Sequence, residues 1–309
     1  MPEIRLQIVD AFTDRPLGGN PAGVVTEAGG LSADLMQAIA REVHASETAF
    51  VCGGGGSEPF RVRFFTPAAE VPLCGHATIA CFHALVWDGR IPLMDGEMVV
   101  QQVTGAGQLP LRLRVEDGHL TGLLMGQNPP LQDPYRGDLA DLAGPLGVTL
   151  EALETADREI GPPARVSTGL RCLHVPVPDL ATLQGAAPDF RALAGLSRRL
   201  DITTVQLLTF ETASDDVQLR VRTFAPVVGV DEDPVTGTAA GSLGGYLAYI
   251  NLLPGEGEKR RFRLAQGEEV GREGRVEVEL QLVGQSVVET WVGGTAVRTL
   301  EGTLQLPSV

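Results

Sequence analysis

The feature that most constrains this chain is an internal echo. One stretch reads VRFFTP (Val62 to Pro67) followed by AAEVPLCGHATIACFHALVW. Another reads VRTFAP (Val221 to Pro226) followed by VVGVDEDPVTGTAAGSLGGYLAYINLL. Each is a β-rich run ending in Phe-x-Pro, then an acidic loop, then a glycine with small residues, then a long apolar segment. Phe65 and Phe224 stand 159 positions apart in a chain of 309, about half its length. QQVTGAGQLPLRLRVEDG, from Gln101, is echoed by RLAQGEEVGREGRVEVEL, from Arg263, at a similar offset. Two related halves are the simplest source of such a pattern, and the length suits two domains.

The segment after each glycine has no polar face. ATIACFHALVW (Ala77 to Trp87) is apolar almost all round, and a helix of that kind must be buried on every side. It is too short to cross a bilayer, so strands of its own domain must surround it. RLQIVDAF, ETAFVC, RVRFF, MVVQQV, LPLRLRV and HLTGLLM supply them in the first half; CLHVPV, VQLLTF, VQLRVRTF, RFRLAQ, RVEVELQLV and SVVETWV do so in the second. The expected fold is α+β: two pseudo-symmetric domains, each a curved, mostly antiparallel, barrel-like sheet around one central helix. LSADLMQAIAREVHA, RGDLADLAGPLG and DFRALAGLSRRL read as outer helices. The Pro-rich stretch Gln127 to Pro134 reads as the crossover. The last strand is expected to return to the first domain, giving 1–126 plus 289–309 and 127–288.

Composition excludes several functions. Net charge is -15, which repels phosphate backbones and anionic lipid, so neither nucleic acid nor a membrane surface is an expected partner. Aromatics are only 5%, a poor base-stacking platform. The opening MPEIRLQIVDAF has no basic region followed by an apolar one, and no apolar run is long enough to span a membrane. Cys52, Cys74, Cys81 and Cys172 follow no disulfide spacing. A cytoplasmic protein with free thiols is therefore expected.

Each buried helix starts at a glycine, Gly75 in LCGHAT and Gly237 in DPVTGTAA. A helix N-terminus offers unpaired N–H groups and the positive end of the dipole, and glycine allows close approach. Two such ends facing across a cleft would hold a small anion such as a carboxylate. Glycine there could equally serve only a tight turn. His76, Glu232 and Asp233 are the titratable neighbours. His76 could be a satisfied core histidine; a positive helix end favours its neutral form. Asp233 could simply brace the turn before Pro234. Glu47, in HASETAFVC, lies at the edge of an apolar strand, where desolvation would raise its pKa toward the range of a general acid/base. On pattern alone it also reads as an ordinary strand-start glutamate. C-x-H-x4-C-x-H (Cys74, His76, Cys81, His83) is not zinc spacing, and Cys81 and His83 would point about 200° apart around a helix. No metal is expected, and the absence of dinucleotide and Walker motifs argues against nucleotide cofactors.

In order along the chain, GGNPAGVV, SETAFV, FFTPAAEVPLCGHAT, DEDPVTGTAAGSLGGYL and AQGEEVGREGRVEVE resemble the phenazine-biosynthesis PhzF family of the diaminopimelate-epimerase fold. The resemblance implies a cofactor-independent isomerase and a homodimer. It implies a carbon-to-carbon proton shift on a small carboxylate; the family's founding substrate is trans-2,3-dihydro-3-hydroxyanthranilate. By resemblance, Glu47 is the acid/base and His76 and Asp233 assist proton transfer. Gly75, Gly237 and Thr238 meet the substrate carboxylate, with Ser46 and Asn20 nearby. Racemases of this fold carry a thiol ahead of each glycine; here those positions are Cys74 and Thr236, and a threonine hydroxyl is no base at neutral pH. The alternatives are a Cys74-dependent epimerase, racemase or dehydratase, and a non-catalytic carboxylate-binding protein.

Overall fold

A computed structural model describes residues 2–307. The chain divides into two compact units, 1–126 with 293–309, and 127–292. Among the described residues there are seven α-helices and eighteen strands, a mixed α+β architecture built on strongly curved sheets. No helix among them is long and apolar enough to cross a membrane.

The first unit contains β1 (Glu3–Ala11), β2 (Asn20–Val25), α1 (Ala33–Val43), β3 (Glu47–Gly55), β4 (Glu58–Phe65), β5 (Glu70–Val71), α2 (Gly75–Trp87), β6 (Gly96–Thr104), β7 (Gly107–Glu116) and β8 (His119–Gln127), and the last strand of the chain, β18 (Ala296–Gln305). β18 pairs antiparallel along β1, which pairs antiparallel with β2. β2 and β3 are parallel, joined by α1 as a crossover. β4 is antiparallel to β3 and β5 and parallel to β6. β6, β7 and β8 form a meander. α1 starts at Ser32, whose side chain caps Leu35 N–H, and it lays Met36, Ile39 and Ala40 against Phe50 and Phe65 on the outside of the sheet. α2 is different. Every residue from Ala77 to Leu85 is buried, and β1, β2, β3 and β18 pack on it. Phe82 meets Phe60 edge-on, ring centres 5.5 Å apart. Lack of a polar face thus dictates enclosure, as the sequence requires.

The second unit repeats the plan with more helices. It contains β9 (Leu131–Pro134), α3 (Ala140–Leu146), α4 (Leu150–Glu159), β10 (Ala164–Ser167), β11 (Arg171–Pro176), α5 (Leu180–Gly185), α6 (Phe190–Leu200), β12 (Thr204–Thr209), β13 (Leu219–Ala225), β14 (Val230–Asp233), α7 (Gly237–Tyr249), β15 (Lys259–Gln266), β16 (Gly274–Val283) and, up to Val292, β17 (Ser286–Gly294). β11 and β12 are parallel, like β2 and β3. β13 is antiparallel to β12 and β14 and parallel to β15, as β4 is to β3, β5 and β6. α7 is buried from Ala239 to Leu247. Its glycines let neighbours approach: a Cβ on Gly245 would sit 2.4 Å from Pro130 Cβ. The outer helices enclose a second core around Leu142, Leu173, Leu193, Leu207 and Phe224.

Two local readings change. The stretch Gln127 to Pro134 is not all loop: Leu131–Pro134 is β9, antiparallel to β10. Its residues are mostly exposed, so no alternation marks it, and Pro134 is tolerated at the strand's end. α4 and α5 are additional helices, started by Thr149 and Asp179, whose side chains accept from Ala152 N–H and Thr182 N–H.

Candidate active site

α1 ends at His44 in the left-handed region, φ 56°, and the chain turns through Ala45 and Ser46 into β3. Parallel pairing with Ala22 fixes Glu47 as the first residue of that strand. Cys74 is the N-cap of α2 in extended conformation, yet its side chain makes no cap hydrogen bond. The thiol turns instead to His76: Sγ lies 3.4 Å from Nδ1. The other ring nitrogen, Nε2, lies 3.3 Å from Glu47 Oε2 and 3.2 Å from Ser46 Oγ. One imidazole therefore links a carboxylate, a hydroxyl and a thiol. A neutral ring with its proton on Nε2 donates to Glu47 and leaves Nδ1 to accept from the Cys74 S–H. The His76 side chain is 11% exposed and Glu47 21%, so the carboxylate is accessible yet held. Glu47, Cys74 and His76 place ligand-type atoms within 4.8 Å of one another, and among the described residues they are the one group able to hold a metal ion.

Gly75 has no positive φ, and a Cβ there would meet only Met125 Cε, at an ordinary 3.7 Å. Neither backbone conformation nor internal packing requires glycine at this helix start. A small residue keeps the first N–H groups open.

At α7 the same helix start has a different chemistry. Thr236 is the N-cap, again with no cap hydrogen bond. Its hydroxyl donates to Asp233 Oδ2 at 2.6 Å. Gln266, fully buried, binds the turn from beneath. Its Nε2 donates to Asp233 O at 2.7 Å and to Thr236 Oγ1 at 3.1 Å, and its Oε1 accepts Thr236 N–H at 3.2 Å. Gly267 is required next, at φ +95°: a Cβ would lie 2.5 Å from Pro234 O. The network continues inward through Thr223 to Gln206 and then His174 Nδ1. Burial pushes His174 down to about 3 and the adjacent Cys172 thiol up to about 12, so both are neutral. Gly237 and Thr238 are the first two helical residues; Thr238 is half-buried.

The other sequence candidates have separate roles. Glu232 is no free acid: Arg222 holds both its oxygens at 2.8 Å and also donates to Ala186 O. Asn20 is buried at the start of β2, paired with Ala11. Cys81 and His83 lie wholly inside the first unit. Burial raises the Cys81 thiol to about 12 and lowers His83 to about 4. What the sequence reading missed is the Cys74–His76 contact and the part played by Gln266. The C-x-H spacing at a helix start was the available signal for the first; Gln266 carried none of its own.

Two curved-sheet units with a buried central helix, each starting at a glycine, define the diaminopimelate-epimerase type of fold. The pattern of phenazine biosynthesis-like proteins, PhzC-PhzF, matches residues 9–302, and the chain belongs to that family. It is 38% identical to "Uncharacterized isomerase" of Deinococcus radiodurans, over 97% of this chain and 94% of that one. It is 35% identical to "Uncharacterized isomerase YfhB" of Bacillus subtilis, over 96% and 97%. The crystal structure of the Bacillus anthracis phenazine biosynthesis protein of the PhzF family superposes with a TM-score of 0.88 at 30% identity, covering 99% of this chain and 100% of that one.

Proposed function

We propose that this isomerase moves a proton from one carbon to another of a small, unsaturated carboxylic acid without a cofactor, with Glu47 as the acid/base. The Glu47 carboxylate takes an acidic C–H proton, and the electron pair left behind spreads into the conjugated system. Glu47, now a carboxylic acid, returns the proton to a different carbon, so nothing is oxidised or reduced. His76 orients Glu47 and hydrogen-bonds the shifted charge. The N–H groups at Gly75, and Gly237 with Thr238, are assigned to the substrate carboxylate. Ser46 and Asp233 are assigned to its polar substituents. A dihydro-hydroxyanthranilate type of acid is the first substrate to try. The four cysteines, none of them in a disulfide, support a reducing, cytoplasmic workplace.

The observation that carries this reading is the contact of 3.3 Å between an accessible glutamate and an imidazole at the start of a buried helix. Incubation with candidate acids in deuterated water tests it. Glu47→Gln should reduce deuterium incorporation by about 10³-fold, the scale of a lost general base; unchanged exchange removes Glu47 from the reaction.

A second reading is favoured by the 3.4 Å contact of Cys74 Sγ with His76 Nδ1. An imidazole in that place can draw off the thiol proton, making Cys74 the base of an epimerase or dehydratase. Cys74→Ala separates the two: a thiol mechanism loses exchange, and a carboxylate mechanism keeps it.

A further inference from the structure

The three side chains at the start of α2 form a donor set as well as a proton relay. Thiolate, imidazole and carboxylate are the ligands of Zn²⁺. A tetrahedral zinc ion with ordinary bond lengths spaces a nitrogen and an oxygen ligand about 3.3 Å apart, and a nitrogen and a sulfur ligand about 3.6 Å apart. Around a single nitrogen, His76 Nε2, the structure places Glu47 Oε2 at 3.3 Å and Cys74 Sγ at 3.9 Å. All three ligand atoms lie within 4.8 Å of one another. His76 Nε2 therefore stands near ligand spacing from both neighbours, and the Glu47 and Cys74 side chains must draw closer than that 4.8 Å limit for all three to meet one ion. The three residues come from two rigid elements, the first residue of β3 and the first turn of α2. Because the His76 and Glu47 side chains are partly exposed, water can take the fourth position.

We propose that Glu47, Cys74 and His76 form a three-ligand site for Zn²⁺ or a similar borderline-soft divalent cation, and that filling it switches the enzyme off. Binding sends the thiol proton to solvent and uses His76 as a neutral ligand. The metal then occupies the oxygen of Glu47 and the nitrogen of His76 that the reaction needs. Mg²⁺ has no preference for sulfur or imidazole and should not compete. The inhibitory half of this inference rests on the assignment of Glu47 and His76 to proton transfer; the binding half does not.

The test uses the untagged full chain and two probes, Zn²⁺ in equilibrium dialysis and Co²⁺ in absorption. One Zn²⁺ should bind per chain in the presence of excess Mg²⁺. Co²⁺ should give a thiolate-to-metal charge-transfer band that Zn²⁺ abolishes. Cys74→Ser should remove the band and weaken Zn²⁺ binding by 100-fold or more. Glu47→Gln should keep the band and weaken binding about tenfold, so a Cys74 variant that fails to fold does not leave the question open. Failure to bind Zn²⁺, or binding that survives both substitutions unchanged, overturns the site. Exchange in deuterated water that continues at one bound Zn²⁺ per chain overturns the inhibition alone. A protein that binds Zn²⁺ this way but exchanges no proton with any acid keeps the site and loses the proposed isomerase mechanism.

Discussion

The two buried helices begin alike and behave differently. α2 and α7 are each thirteen residues long, each starts at glycine, and each has an N-cap side chain that makes no cap hydrogen bond. At α2 the cap is Cys74, the second helical residue is His76, and an accessible glutamate completes the group. Its side chains meet one another: His76 touches the Cys74 thiol, the Ser46 hydroxyl and the Glu47 carboxylate. At α7 the cap is Thr236, the second residue is Thr238, and the turn is fastened by Gln266 to a chain of buried amides and hydroxyls. A duplicated frame thus offers two positive helix ends, and the side chains decide their use. One end gathers a thiol, an imidazole and a carboxylate; at the other a buried amide fastens the turn.

The largest effect should separate the two ends by kinetics. Glu47→Gln is expected to cut kcat by about 10³-fold with little change in KM, as loss of a general base does. Asp233→Asn keeps an acceptor for the Thr236 hydroxyl, removes the charge and turns the other oxygen into a donor. It should raise KM by about tenfold and lower kcat by less than that, the pattern of a lost binding contact. Equal losses of kcat in both variants would dissolve the distinction and make Asp233 a second proton carrier.

Next in size is stability. Gln266→Leu leaves the Asp233 carbonyl and the Thr236 N–H without their buried partner, and each such group costs about 1–3 kcal/mol. Urea unfolding should show a loss of about 2–4 kcal/mol with an unchanged slope. Ser46→Ala, on the exposed side of the α2 group, should fall within about 0.5 kcal/mol of the parent. A mild Gln266→Leu would mean that the α7 turn holds itself, and the contrast between fastened and unfastened ends would fail.

This contrast also shows what the amino-acid order carries and what it conceals. The enclosure of α2 follows from its lack of a polar face, and the repeated Phe-x-Pro blocks correspond to matching strand pairings, β4 with β5 and β6, β13 with β14 and β15. Glu47 could be named only through family likeness, because a glutamate at a strand start carries no pattern of its own. Its contact with His76 joins residues 29 positions apart through parallel pairing and a helix cap. β9 stayed hidden because its partner supplies its only reason to be extended. Gln266 stayed hidden because a single buried amide in a strand looks like any polar residue until the turn it supports is in place.

The smallest effect tests a feature the two units share. His83 in α2 and His174 beneath α7 are both buried and held neutral, lowered from 6.5 to about 4 and about 3. A depressed histidine takes up its proton in the unfolded chain before the folded one. Stability is therefore intact above pH 6.5 and is lost as pH falls from there toward the folded value, by about 1.4 kcal/mol per pH unit for each histidine. Cys81 and Cys172, raised from 9 to about 12, act in the opposite sense, with loss beginning as pH rises above 9. The two units differ in how the rings are satisfied. His174 meets Gln206 and Ser242, whereas His83 bonds Ile79 O and leaves Nε2 buried without a partner. His83→Met and His174→Gln should each remove one histidine's share of the slope between pH 6.5 and 5 in chemical denaturation. At pH 8 they should diverge: His83→Met gives up one hydrogen bond and an unpaired nitrogen and should be close to neutral, while His174→Gln breaks a network and should be destabilising by about 1–3 kcal/mol. Identical behaviour at pH 8 would show that the network beneath α7 is no tighter than the packing inside α2.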